Sequence, residues 1–164
     1  MEFMDMMKDP NLRWETMHRK YGLIFRTKKY NYHGKETIRP ICATMTAEMG
    51  SRLVRNELSY FFNSIFTMYS SDSKDDIDRV IEMTDKILAG KLVFTDMDLE
   101  DEVNVFFKGE DDAIRLDPND GFAYLGDYSF ATTPTEQPKI PLTDLKTIFE
   151  EWREFRASVY GIKK

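Results

Sequence analysis

His18, His33 and Cys42 are the only histidine and cysteine side chains of the 164-residue sequence, and so its only candidates for acid–base work near neutral pH or for a thiol nucleophile. Their setting argues against that use. His18 falls on a charged helical stretch and His33 in a turn, so thiol–imidazole catalysis is not expected. Carboxylates are the other group able to do chemistry. Asp96 and Asp98, followed by Asp101 and Glu102, supply hard oxygen ligands of the kind that Mg²⁺ prefers.

Calcium loops can be tested by spacing. A loop beginning at Asp96 has acids at its third and fifth positions, but places Asp101 where glycine is needed and Phe107 where a bidentate carboxylate is needed. A loop beginning at Asp117 places Phe122 and Tyr128 at those two positions. Neither is an EF-hand. The chain also lacks G-x-G-x-x-G, G-x-x-x-x-G-K-[ST], G-x-S-x-G, H-E-x-x-H and C-x-x-C patterns. No catalytic residue, metal ligand or cofactor site is therefore expected, and a carboxylate–metal hydrolase stays the least favoured reading.

What remains for the carboxylates is recognition. The net charge is −6, with 23 basic and 29 acidic residues, but its distribution is uneven. Residues 96–127 hold eleven acids against two bases, Lys108 and Arg115, a balance of −9. Residues 1–69, 70–95 and 128–164 balance at +4, −2 and +1. A local field of this kind steers a cationic partner. Asp96, Asp98, Asp101, Glu102, Glu110, Asp111, Asp112, Asp117 and Asp120 are the expected contact acids, with Phe122, Tyr124 and Tyr128 as candidate aromatic anchors. Tyr30 and Tyr32, lying among Arg26, Lys28, Lys29 and Lys35, have the makeup of a base-stacking strand. On an acidic chain a solvated strand face outweighs that reading, and nucleic acid is not an expected partner.

These residues must be positioned by a folded body. A hydrophobic content of 41% and an aromatic content of 13% place the chain among globular proteins. Its length suits a single domain, with residues 1–8 expected to fray. Trp14, Met17, His18 and Tyr21 mark a helix near 10–20. Leu23–Tyr32 and Thr37–Thr46 read as strands around a turn at His33, Gly34 and Lys35, with Pro40 marking an edge or a bulge. Residues 51–69 carry the strongest helical periodicity. A second amphipathic helix is bounded by Ser73 as N-cap and Gly90 as terminator. Short strands follow at Leu92–Thr95, Val103–Phe107, Ala113–Leu116 and Phe122–Phe130, with a hairpin turn at residues 108–111. Beyond Pro134, Pro138 and Pro141, Leu142, Leu145, Ile148, Phe149, Trp152, Phe155 and Val159 mark a last helix, capped by Thr143 and ended by Gly161. The expected class is α+β: a mainly antiparallel sheet of about five to six strands packed with about four helices in a single domain.

The stretch Ile140-Pro141-Leu142-Thr143-Asp144-Leu145, entering a helix that runs to Glu150-Glu151-Trp152-Arg153-Glu154-Phe155, resembles the C-termini of bacterial immunity proteins of contact-dependent growth inhibition and related polymorphic toxin systems. The resemblance covers about twenty residues and the general layout. It implies a non-catalytic inhibitor that binds and neutralises a cognate toxin domain, a nuclease being the expected toxin, by covering its basic surface. A general protein-interaction module is the alternative. The acidic N-terminus has no signal-peptide pattern and no stretch reaches the roughly 20 apolar residues of a membrane span, so cytoplasmic residence, no membrane partner, and a monomer that becomes a heterodimer with its toxin are expected.

Overall fold

The computed structural model describes residues 21–44, 61–68, 74–91, 95, 97, 103–107, 113–126 and 138–160. They are α+β, with two antiparallel sheets. Two compact units divide the chain. One takes Met1–Ser70 and Glu151–Lys164, and the other takes Ser71–Glu150.

In the first unit, β1 (Leu23–Tyr32) pairs in continuous register with β2 (Lys35–Thr44), from Leu23 opposite Thr44 to Tyr32 opposite Lys35. The two-residue connection has positive φ at both His33 (53°) and Gly34 (78°), the combination whose twist matches that of the flanking strands. Pro40 sits opposite Thr27 within this register, without a bulge. It is tolerated because each strand of a two-stranded ribbon has an open edge where a missing N–H breaks no ladder. The base of the ribbon is apolar: Leu23, Ile24 and Phe25 are fully buried. Residues 61–63 are helical and run into a π-helical turn at Ser64–Met68, which buries Phe62, Ile65 and Phe66.

Rings form the core of this unit. Trp152 lies flat on Phe66, with centroids 4.8 Å apart and planes 7° apart, and meets Phe25 edge-on at 5.2 Å. Phe25 also contacts Phe66 at 6.0 Å and Phe155 at 5.8 Å, and Phe62 packs against Phe66 at 5.5 Å. Such offset and edge contacts add to area burial because each ring's positive edge faces a negative face.

In the second unit, helix α1 (Lys74–Leu88) buries Ile77, Val80, Ile81 and Thr84 along one stripe. Its end has the double closure of a Schellman motif: Lys91 N–H donates to Lys86 C=O at 2.9 Å and Gly90 N–H to Ile87 C=O at 3.1 Å. Gly90, at φ 69°, supplies the left-handed residue that this closure requires, as its place in the sequence led us to expect. Four strands follow in the order β3 (Val105–Phe106), β4 (Ala113–Leu116), β5 (Phe122–Gly126) and β6 (Lys139–Pro141), all antiparallel. Buried Asn104 extends the first pairing. Its carbonyl accepts from Leu116 N–H at 3.0 Å and its side-chain amide donates to Leu116 C=O at 2.9 Å.

Helix α2 (Leu142–Tyr160) closes the described chain, and the division between the units falls within it, at Glu150 and Glu151. Leu142, Leu145, Ile148, Phe149, Trp152 and Phe155 form its buried stripe. Lys146 bridges Asp85 at 2.5 Å and Glu150 at 3.8 Å. Among the described residues, no helix is long and apolar enough to cross a membrane.

Three expectations are corrected. The strands form sheets of two and four rather than one sheet, because alternation marks a strand but not its neighbour. Of the four expected helices, those over Lys74–Leu88 and Leu142–Tyr160 are present and the one over 51–69 is described only from residue 61, where it ends in the π-helical turn, while the stretches 10–20 and 51–60 lie outside the described residues. β6 was hidden by Pro138 and Pro141, yet Pro138 still offers its carbonyl to Leu125 N–H at 2.9 Å. Thr143 is the second helical residue rather than the cap; the first amide, that of Leu142, donates to Gly121 C=O at 3.0 Å.

Removing the central ring should be costly. Trp152→Ala is expected to lower unfolding free energy by about 3–5 kcal/mol, and Trp152→Phe, which keeps a stacking face on Phe66, by clearly less. Urea denaturation followed by far-UV circular dichroism reads both; equal losses would show that a phenyl ring at this position recovers none of the packing on Phe66.

Candidate functional site

Of the twelve expected contact residues, four are described: Asp117, Asp120, Phe122 and Tyr124. Asp96, Asp98, Asp101, Glu102, Glu110, Asp111, Asp112 and Tyr128 lie outside the described residues, as does the expected turn at residues 108–111. The four that are described come together at the β4–β5 connection.

That connection is built by its own carboxylates. Asp117 Oδ1 accepts from Asn119 N–H at 2.8 Å and from Asp120 N–H at 3.4 Å, an Asx turn that Pro118 pre-sets by its fixed φ. Backbone bonds close the loop: Asp117 N–H donates to Phe122 C=O at 2.9 Å and Gly121 N–H to Asp117 C=O at 3.3 Å. Gly121 takes φ 78°, where a side chain would be strained. Asp120 Oδ1 then accepts from Phe122 N–H at 2.9 Å, while its Oδ2 accepts the Tyr124 hydroxyl proton.

Side chains from three strands line up beside this turn. Arg115, Tyr124 and Lys139 are successive register partners across β4, β5 and β6, so they share one face of the sheet. Arg115 lies over the Tyr124 ring at 4.5 Å and pairs with Asp117 Oδ2 at 3.6 Å. Lys139 lies over the half-buried Phe122 ring at 4.5 Å. The result is a mixed cluster in which Arg115 locally offsets Asp117. Tyr124 is buried, and its hydroxyl is already engaged.

Electrostatics follow from this contact. The hydrogen bond to Asp120, then burial, then the charges of Asp120 and Asp117 raise the Tyr124 pKa above its ordinary 10.0, with Arg115 opposing. Asp117 and Asp120 therefore have a demonstrable local role: their oxygens shape the hairpin. Asp120 remains exposed, so its charge still reaches solvent.

Two residues of interest gave no sequence signal of their own. In the sequence Arg115 is only one of two bases in an acidic segment, and its paired role appears once the register places it beside Tyr124. Met97, which lies between Asp96 and Asp98 in the sequence, is 70% exposed, a large apolar side chain in water. The signal for Met97, an apolar residue in a charged string, is too common to single it out. The buried Cys42, whose thiol burial pushes well above its usual pKa, is unsuited to nucleophilic work. Among the described residues, no group of three or more His, Cys, Asp or Glu side chains could hold a metal ion. No protein-family model, no curated protein and no solved structure matches the chain.

The Tyr124–Asp120 contact has a pH signature. A phenol whose pKa is raised on folding stabilises the fold fully below about pH 10, and that contribution fades as pH rises through the raised value. Tyr124→Phe should cost about 1 kcal/mol at neutral pH and show a shallower loss of stability above pH 10. Urea midpoints measured across that range for both proteins decide it; parallel pH curves would remove the hydrogen bond from the account.

Proposed function

We propose that the chain is a non-catalytic immunity protein, which neutralises a cationic toxin domain by covering its basic surface with the acid-rich segment 96–127. The carrying observation is the concentration of eleven acids against two bases in that one segment. Support comes from the fixed turn of Asp117 and Asp120, which displays charge without side-chain ordering on binding, and from exposed Met97 between Asp96 and Asp98. The short C-terminal resemblance to immunity proteins of contact-dependent growth inhibition points the same way.

The physical logic is that of a phosphate mimic. A nuclease holds its substrate's phosphates in a cationic cleft, and an inhibitor that presents carboxylates there gains association rate by steering and excludes substrate by occupancy. Asp96, Asp98, Asp101 and Glu102 carry the attraction, with Glu110, Asp111 and Asp112 extending it. Asp117 and Asp120 add field rather than direct contacts, since their oxygens already accept backbone and phenol protons. Such an inhibitor works inside the producing cell, so the proposal includes cytoplasmic residence, a monomer before binding and a heterodimer with the toxin afterwards.

The adjacent gene supplies the test. The toxic domain encoded beside this chain, expressed alone, should arrest growth; co-expression should restore growth and yield a one-to-one complex. Absence of protection overturns the proposal. Within such a complex, reversing Asp96, Asp98, Asp101 and Glu102 to Lys should slow association by about tenfold or more at low salt and flatten its salt dependence. An unchanged association rate in stopped flow would move the docking face away from this segment.

A further inference from the structure

A different surface, the β1–β2 ribbon, gathers positive charge. Alternation in the β1–β2 ribbon sorts its exposed half onto two faces with opposite character. Lys28 opposite Arg39, Tyr30 opposite Thr37 and Tyr32 opposite Lys35 share one face; Lys29 opposite Ile38 and Asn31 opposite Glu36 share the other. On the second face Lys29 and Glu36 pair at 3.6 Å and cancel. The ribbon's exposed charge surplus therefore lies on the first face, where Lys28, Lys35 and Arg39 have no acid among them.

That face is also aromatic. Tyr30 is flanked by Lys28 Nζ and Arg39 Cζ, each 5.4 Å from its ring centroid, so it is braced by both strands. Tyr32 is 69% exposed at the tip, held edge-on by His33 at 4.2 Å. The exposed half contributes no aliphatic side chain to this face, Ile38 lying on the other. A protein interface would need an apolar centre with charge at its rim. Cations beside an exposed aromatic ring, here Tyr32, instead fit phosphates with a base stacked on that ring. From Lys28 to Tyr32 the strand spans roughly 14 Å, about four nucleotides at stacked spacing.

We propose that the Lys28, Tyr30, Tyr32, Lys35 and Arg39 face of the β1–β2 ribbon binds single-stranded nucleic acid, with Lys28, Lys35 and Arg39 on phosphates and Tyr32 as the stacking platform. The net charge of −6 excludes blanket binding, but it is set by residues 96–127 and leaves this ribbon cationic. The proposal stands independently of the immunity reading, since its residues lie outside the acid-rich segment.

Fluorescence anisotropy with labelled single-stranded DNA and RNA of about ten nucleotides, added to the full chain, tests it. At about 50 mM salt the dissociation constant should be micromolar, weakening steeply towards about 200 mM. Lys28→Ala, Lys35→Ala and Arg39→Ala should each reduce the salt slope by roughly 0.7, and Tyr32→Ala should weaken binding about fivefold or more. Lys29→Ala, on the opposite face, should change neither; unaltered thermal melting verifies that each variant folds. Absence of binding at about 100 µM protein, an effect of Lys29→Ala equal to that of Lys35→Ala, or equal competition by an oligoglutamate peptide with no effect of Tyr32→Ala would each overturn the proposal. The last result would identify an acidic protein as the partner.

Discussion

The flat contact between Trp152 and Phe66 is the interaction on which the first unit rests. It draws together a strand residue, Phe25, a helical turn carrying Phe62 and Phe66, and the second half of the last helix, elements far apart in sequence. A two-stranded ribbon in isolation is marginal in water. Ring packing anchors its base, where Leu23, Ile24 and Phe25 are fully buried. With that end fixed, the ribbon's other end can remain in solvent and carry charged and aromatic side chains that no core could accept.

In the second unit the corresponding role falls to backbone pairing at short range. Strands of two to five residues offer few ladder bonds each. Polar side chains supplement them. Asn104 bonds Leu116 both ways, Asp117 and Asp120 hold the turn, and the Gly121 carbonyl receives the first amide of α2. The same acids thus serve two demands: their lone pairs satisfy local amides, and the exposed carboxylate of Asp120 contributes to the segment's field. A charge count registers only the second of these.

Local features were the most legible in the sequence. The bounds of β1 and β4, the turn at His33 and Gly34, and the glycine that ends α1 follow from alternation, turn chemistry and the left-handed preference of glycine, all of which act within a few residues. Partition of the strands into two sheets did not follow, because alternation marks a strand without naming its partner, and β2 and β3, which fall in different sheets, differ in nothing the sequence pattern records. β6 was obscured by flanking prolines, which signal a loop unless a partner accepts the strand at its edge. For the candidate site, the acidic character of residues 96–127 was readable by counting. The bracing of Tyr124 by Arg115 and Asp120 was not, since it depends on cross-strand register, and neither was the one-sided charge of the ribbon, which needed Arg39 placed opposite Lys28.

The two-residue turn at His33 and Gly34 has a consequence for how this chain can vary. Side-chain direction alternates with every residue, so a single inserted or deleted residue in either strand would send one strand's residues to the opposite face beyond that point. Lys35 and Arg39 would then lie beside Asn31 and Lys29, and the separation of cations from the neutral pair would be lost while composition stayed the same. Drift by substitution leaves the ribbon's electrical asymmetry adjustable one residue at a time. A change in length would erase it in one step, so the asymmetry depends more on the spacing around this turn than on the identity of any single lysine.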